Sequence, residues 1–559
     1  MLRGATLDAL LGDAARQGRH VALIEGDRRV SLASFDVEVT SLATSFSRLG
    51  VGAGTRVALP MSASIDALAC FFAVLRAGGA AVPVSPLTPA AELGRIFDEA
   101  RVSAVIAADA GRAASDAIAG TVGSRPHIRN VITVPVGTSL TSAVMSLAVP
   151  SDDVPGRRPI AGNAAAVFCT TGTTGEPQAV VHTHRGLVAS VRALHAVHHS
   201  YFRGPAREIT VRLFRLARIY RGRLRSAVGR QTWLTPMPFH TIAGTRFMVQ
   251  AIVTGHRLVI VPGFNPRALI ETVARERVNI VALSPTMLET VLAVRSLPET
   301  DLSSLLVVGL GSAPAQVDLL RRGEEALGCP VLNGYGSTET AGGILVTRVG
   351  DDNDGSVGYP FPGTEILVVD DAGRAVPRGA VGELLCRTGS LMAGYGADEP
   401  SSGAHAGQTA TGLAPDGWFR TGDLAMINSR GAVHIVGRSR DLIIRGGAKI
   451  VPAAVENVLL ANPAVRAAAV VGIADPVAGE RIVAFVVPEE GERLRSADVF
   501  ASCRGRLSPH ETPDHVLVVP ELPLAESGEV RKVELRAMAS RRIAAAKPRH
   551  EDPKEVPAG

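Results

Sequence analysis

An apolar helix followed by a short β-branched strand recurs through the first two thirds of the chain, and this rhythm limits the possible folds most. IDALACFFAVLRAGG (65–79) reads as an apolar helix stopped by glycines, and AAVPVSP (80–86) follows as a buried strand. In the same order AAELGRIFDEA precedes VSAVIAAD, PRALIETVARERV precedes NIVALSP, and QVDLLRRGEEALG precedes PVLNGYG. A crossover helix returns the chain to the same end of a sheet, so consecutive helix–strand units give parallel neighbours. Ligands of such sheets collect in crevices at the carboxyl ends of the strands. The expected fold class is α/β, with a large N-terminal domain of parallel or mixed sheets covered by helices.

The texture changes after about residue 345, where TEILVVDDAGRAVPRGAVGELLCRT reads as a hairpin or a small β-barrel-like part. GADEPSSGAHAGQTATGLAPDG (396–417) is poor in bulky apolar residues and reads as a mobile loop. From Arg440 a separate small α+β unit begins: strand DLIIRGG, helix PAAVENVLLAN, strands AVRAAAVVGI and RIVAFVV, a helix, and a last strand VLVV. At 559 residues one core does not suffice. We expect an N-terminal domain over 1–437, a small mobile C-terminal domain over 438–545 and a disordered tail over 546–559.

Five cysteines (Cys70, Cys169, Cys329, Cys386, Cys503) form no C-x-x-C pair, which reads as reduced thiols rather than a disulfide frame or a zinc site. The first twenty residues break their apolar run with Asp8, Asp13 and arginines, unlike a secretory signal. The run Ile65 to Leu75 contains Asp66 and is too short for a membrane span, so the reading is a soluble, cytoplasmic protein. The net charge of +5 is modest, and residues 201–230 alone hold nine arginines against one acid. Arg212, Arg215 and Arg218 follow helical spacing among Leu213, Phe214, Leu216 and Ile219. A docking face for an acidic carrier protein, anionic lipid or CoA phosphates is one reading of the stretch Arg212–Arg225. A solvated basic insertion is the simpler one. Nucleic acid is disfavoured, since only Phe214 and Tyr220 interleave the basic residues.

The strongest chemical signal is FCTTGTTGEPQAVVHTH, Phe168 to His184. Apolar strands lead in and out of TTGTTG, so Thr170, Thr171, Thr173 and Thr174 surround Gly172 and Gly175 on a hairpin. Hydroxyls and exposed backbone N–H groups there suit polyphosphate oxygens. The string is not a Walker A loop, because no Gly-Lys-Ser/Thr follows. Taken alone it also fits an ordinary Thr/Gly turn.

The string is similar to the phosphate loop of the adenylate-forming superfamily of acyl-CoA synthetases, peptide-synthetase adenylation domains and luciferases, and further signatures follow in family order. PMPFHTIAG (236–244) resembles the family's histidine segment, GSAP (311–314) its Gly-Gly-Ala-Pro turn, and NGYGSTET (333–340) its Tyr-Gly-x-Thr-Glu motif. GELL (382–385), DGWFRTGD (416–423) and VGRSRD (436–441) resemble three more. The resemblance implies an ATP-dependent acid–thiol ligase of two domains, in which an acyl-AMP forms and its acyl group passes to coenzyme A or a carrier protein's phosphopantetheine. It implies nucleotide contacts from Thr170–Gly175, from the main chain at Ser312, Ala313 and Pro314, and from Gly334, Tyr335 and Gly336. Thr338 would meet the α-phosphate, Glu339 would hold Mg²⁺, and Asp423 with Arg438 would bind the ribose. His240, with Gly244 and Gly309, would line the acid pocket, fatty or aromatic acids being compatible. Arg440 takes the hinge position, and Gly446 and Gly447 the loop of the pantetheine tunnel. Locally, Asp423 also reads as a turn carboxylate, Glu339 as a helix N-terminal charge, His240 as a core histidine and the glycine pair as a plain turn.

Two positions depart from the family pattern. Gln178 stands where the phosphate loop carries a lysine, and Glu529 where a C-terminal lysine bridges carboxylate and α-phosphate. Loss of one preorganised donor costs about 10²–10³ in rate, and a reversed charge more. Arg531 shares strand parity with Glu529 if the backbone is extended, and with Lys532 it is a candidate substitute. The alternatives are therefore a catalytically impaired homologue that binds nucleotide or acyl ligand, and a specialised biosynthetic ligase with a non-standard acid or acceptor.

Overall fold

The computed structural model of the chain describes residues 2–18, 20–107, 118, 120–128, 130–133, 162–171, 177–200, 210, 214, 216–220, 229–351, 353–396, 413–414, 416–489, 491–524 and 530–546. It divides into two compact units, one of Met1–Thr421 with Met426–Ile435 and the other of Gly422–Ala425 with Val436–Gly559. The tail from 547 and most of the loop 396–417 lie outside the described residues.

Two large sheets dominate the first unit. In one, Ala164–Thr171, Ala80–Val84, Arg56–Pro60, Ala104–Ala107 and Asn130–Thr133 lie side by side and parallel, as the helix–strand rhythm requires. Pro177–Thr183 and Gly394–Tyr395 extend it antiparallel. In the other, Val331–Ser337, Val307–Leu310, Ile280–Leu283, Thr232–Leu234, Arg257–Ile260 and Val21–Glu25 are parallel neighbours. Antiparallel strands flank both sides, Gly342–Val346 and then Tyr359–Pro360 beyond Val331–Ser337, and Arg28–Ser31 beside Val21–Glu25.

The helix Ile65–Arg76 shows why the sequence packs this way. Ser64 caps it by accepting from the Ala67 N–H, and ten of its twelve residues are buried. Phe71 and Phe72 meet edge to face at 5.7 Å, and Phe72 meets Phe35 at 6.1 Å. Each such ring contributes about 1.5–3 kcal/mol by leaving water. Arg76, the last residue, closes the helix on Asp8 at 2.5 Å and on Asp36 at 2.6 Å. Among the described residues no helix is long and apolar enough to cross a membrane.

The hairpin expected after residue 345 forms from Thr364–Val369 and Val381–Thr388, paired in register from Thr364↔Thr388 to Val369↔Glu383. Phe419–Ile427 and Val433–Arg438 complete a four-stranded sheet.

The second unit is α+β. Val465–Asp475 and Gly479–Pro488 form a long antiparallel hairpin, and His515–Val518 runs parallel to the second of these strands. Helices Pro452–Leu460 and Ser496–Cys503 cover one face through Val455, Leu459, Val499 and Cys503. Two elements were not read from the sequence. Ala448–Ile450 is a strand of its own, paired with Ile443–Arg445. Beyond the strand VLVV, a helix Lys532–Ala546 covers the other face through Leu535 and Ala539. The helix begins one residue after Arg531, and Val530 bridges Leu524 as an isolated antiparallel pair, so the helix itself does not break the extended course on which the shared parity of Arg531 and Glu529 depends.

Candidate active site

Strands Thr232–Leu234, Val307–Leu310 and Val331–Ser337 are parallel, with Ile280–Leu283 between the first two, so their carboxyl ends share one edge. The turn holding His240, the segment Ser312–Pro314 and the segment Ser337–Glu339 each leave that edge. This is where a doubly covered parallel sheet binds ligands. In the other sheet, Ala164–Thr171 and Pro177–Thr183 form the expected hairpin, Thr171 facing Pro177 and Thr170 facing Gln178. Its tip, with Gly172, Thr173, Thr174 and Gly175, lies outside the described residues.

Thr338 and Glu339 occupy the turn between Val331–Ser337 and Gly342–Val346, not the start of a helix, which removes the helix N-terminal reading of Glu339. The Tyr395 hydroxyl donates to Glu339 Oε1 at 3.1 Å, and the Met392 N–H donates to the Glu339 carbonyl at 2.8 Å. The carboxylate is therefore held from a strand more than fifty residues away, while the residue stays half-buried. His182 Nε2 lies 2.7 Å from the Thr338 carbonyl oxygen, which also accepts from the Ala341 N–H at 3.1 Å. Tyr395 and His182 position this turn; His182 lies near the end of the Thr/Gly-rich string read from the sequence, but nothing in that string assigns it this contact. The pairing of the sheet is what brings each of them to the motif turn.

Burial pushes the His182 imidazole down to about 4, and His184 likewise to about 4. His182 is then neutral at pH 7, and because a carbonyl oxygen only accepts, its proton sits on Nε2. Between about pH 4 and 6.5 the unfolded chain binds protons at these two histidines that the folded chain does not, so stability rises with pH across that window. Each contributes up to about 3 kcal/mol, lost as pH falls from 6.5 towards 4. The urea midpoint should drop through this range, and His182→Gln, which keeps a donor for Thr338, should flatten the slope. An unchanged slope in that variant would contradict the assignment.

Several glycines of the motifs have steric reasons. A Cβ at Gly336 would lie 2.1 Å from the Gly342 carbonyl oxygen, and one at Gly244 would lie 2.2 Å from that of Pro238. Gly334 is less confined, since a Cβ there would lie 3.3 Å from the Leu345 oxygen, a tight contact rather than a clash. Gly309 differs, since a Cβ would meet no atom nearer than 4.0 Å. Ser312 adopts φ 70, a left-handed conformation that costs a non-glycine residue about 1 kcal/mol or more. His240 is half-buried, and the adjacent Thr241 caps helix Ile242–Val253 by accepting from the Gly244 N–H at 3.2 Å.

In the second unit, Asp423 and Arg438 form an ion pair at 3.5 Å, with the Asp423 side chain largely covered. Asp423 lies within the strand Phe419–Ile427 rather than in a turn. Arg440 is exposed in the short 3-10 turn Ser439–Asp441, and Asp441 pairs with Arg536 at 2.9 Å. Gly446 and Gly447 join two strands at φ 56 and 83, the paired positive angles of a type I′ hairpin turn. Glu529 lies outside the described residues. Lys532 Nζ contacts Glu456 at 2.8 Å and Arg531 contacts Glu534 at 2.9 Å, so both candidate substitutes are engaged.

Most of the arginine-dense stretch, Arg212 and Arg215 included, lies outside the described residues. Of what is described, Leu216 and Tyr220 pack with Leu306, while Phe214 is exposed.

The family model described as AMP-binding enzyme matches residues 11–396, and that of the AMP-binding enzyme C-terminal domain matches residues 454–529. A feruloyl-CoA synthase of Amycolatopsis sp is 29% identical over 525 residues, 93% of this chain and 96% of that protein. A 2-hydroxy-7-methoxy-5-methyl-1-naphthoate–CoA ligase of Streptomyces carzinostaticus is 30% identical over 560 residues, 96% of this chain and 94% of that one. The crystal structure of ATP-bound MatB from Rhodopseudomonas palustris superposes with a TM-score of 0.80 at 27% identity, covering 96% of this chain and 98% of that one.

Proposed function

Because the chain belongs to the AMP-binding enzymes, we propose that it activates a carboxylic acid with ATP and passes the acyl group to the thiol of coenzyme A or of a carrier protein. In the first half-reaction a carboxylate oxygen attacks the α-phosphorus and the bond to pyrophosphate breaks, leaving an acyl-AMP. In the second, a thiolate sulfur attacks the acyl carbon and AMP departs as a good leaving group. The observation that carries this reading is the convergence of the His240, Ser312–Pro314 and Ser337–Glu339 segments on one sheet edge, with Glu339 held by Tyr395.

Each residue's part follows from its chemistry. Tyr335 offers a face to adenine beside the main chain of Ser312–Pro314. Thr338 donates to the α-phosphate, and Asp423 accepts from the ribose hydroxyls with Arg438 alongside. Glu339 fits Mg²⁺, which needs only one or two protein carboxylates when phosphate oxygens and water complete its shell. Among the described residues no three His, Cys, Asp or Glu side chains gather as a cage, which suits an ion that arrives with the nucleotide. When bound, Mg²⁺ would neutralise phosphate charge. His240 faces the acid carboxylate, Gly446 and Gly447 lie at the pantetheine entry, and Arg440 exchanges partners as the small domain moves between half-reactions. The arginines from Arg212 to Arg225 would receive an acidic carrier protein if that is the acceptor.

One observation favours a second reading, a homologue that binds nucleotide and acid with little turnover. Gln178 and Glu529 supply no cation, and Lys532 is already paired with Glu456. Pyrophosphate release over a panel of fatty, aromatic and dicarboxylic acids separates the two. Release with at least one acid, followed by thioester formation on adding CoA, is the expected result. No release with any acid would leave the binding reading.

A further inference from the structure

Arg246 stands in the second turn of helix Ile242–Val253, the helix that begins just after His240. Its side chain lies across the turn that follows Glu339, because a Cβ on Gly342 would meet Arg246 Cδ at 2.4 Å. Gly342 has φ 95, so that position is glycine both for its backbone angle and for the space the arginine takes. The guanidinium carbon is 5.9 Å from the centre of the Phe361 ring. Nε donates to Ser190 Oγ at 2.7 Å, and that hydroxyl donates onward to the Ala341 carbonyl at 2.8 Å. Ser190 thereby fixes the plane of the guanidinium and has no proton left to share. Nη2 is sealed from solvent and has no partner among the described residues.

Among the described residues no carboxylate pairs with Arg246, and desolvation alone pulls it down to about 10, which still leaves it cationic at neutral pH. The residue nevertheless keeps some accessible surface. Burying an unpaired charge costs several kcal/mol, so a helix needing only apolar packing at this place would carry leucine or methionine. The cost is offset if the ligand brings the anion.

We propose that Arg246 is a specificity residue that binds a second carboxylate, at the end of the acid remote from the one activated, so that the preferred substrate is a dicarboxylic acid. The assignment rests on the proposed acid activation, which places the substrate between His240 and Thr338. The Arg246 stem reaches Gly342, four residues beyond Thr338. A guanidinium fork takes a carboxylate through two parallel N–H donors; with Nε given to Ser190 these are the Nη groups, and a bound carboxylate would have to open the packing that seals Nη2.

The test is calorimetry on the full chain, with and without a saturating non-hydrolysable ATP analogue. The probes are short straight-chain diacids with monoacids of matched length, and benzoate with its ring-carboxylated analogues. Diacids should bind at least about tenfold more tightly than their monoacid partners. Arg246→Met should remove that margin, and Arg246→Lys, which keeps the charge without the fork, should restore only part of it. Equal binding of diacid and monoacid by the unaltered protein overturns the proposal without recourse to any variant, as does a diacid preference that survives in Arg246→Met. Failure of the ATP analogue to bind would instead count against the proposed function, and the titrations without analogue still decide the role of Arg246.

Discussion

Alanine at Gly336 is expected to cost about 3 kcal/mol of stability and to lower adenylation about 10²-fold. The added methyl would lie 2.1 Å from the Gly342 oxygen and 2.6 Å from both the Gly342 carbonyl carbon and Gly343 Cα. All three atoms are backbone, so no side chain can turn away. Relief requires the strands Val331–Ser337 and Gly342–Val346 to separate where their register already shifts, between Tyr335 and Gly336. That movement carries Tyr335, Ser337 and Thr338 with it. Urea unfolding and pyrophosphate release measure the two effects together. A variant with the original midpoint and rate would show that this strand pair does not need its observed spacing.

Lysine at Glu529 is expected to raise the rate of acyl-AMP formation about a hundredfold or more, and Gln178→Lys added to it further. A carboxylate near an α-phosphate repels the charge that grows during transfer, whereas an ammonium stabilises it. Neither nearby cation is an idle replacement. Lys532 is held by Glu456, whose Oε1 also accepts from the Val470 N–H at 2.8 Å. Arg531 pairs with Glu534 where both side chains are about half exposed, and such a pair is weak enough to exchange. Arg531→Ala is therefore the informative control: a fall in residual rate means that Arg531 has taken over the role. If neither lysine raises single-turnover acyl-AMP formation, the two replacements are not what limits the enzyme.

Four parallel strands, Ala80–Val84, Ala104–Ala107, Ile280–Leu283 and Val331–Ser337, were legible because each is short and follows a helix of marked apolar periodicity. The small unit's hairpin Val465–Asp475 with Gly479–Pro488 was legible from its two runs of Val, Ile and Ala separated by turn residues. Ala448–Ile450 escaped notice because three residues carry no periodicity, and the Gly446–Gly447 turn reads equally well as a loop. The helix Lys532–Ala546 was hidden because charged residues interrupt its apolar positions, and among its described side chains only Leu535 and Ala539 are fully buried. Motif residues such as Thr338, Glu339 and Asp423 stood out by pattern. The groups that hold or complement them did not. Tyr395 and His182 reach the motif turn through strand pairing, and Arg246 looks like a surface arginine until the helix is packed against Gly342.

The account turns on a pocket shaped for an acyl adenylate, and calorimetric titration with a non-hydrolysable acyl-sulfamoyl adenosine tests it most directly. Binding should be saturable with one site per chain, and Tyr335→Ala, Thr338→Ala and Asp423→Ala should each weaken it about tenfold or more. No binding, or binding that all three variants leave unchanged, would contradict the assignment.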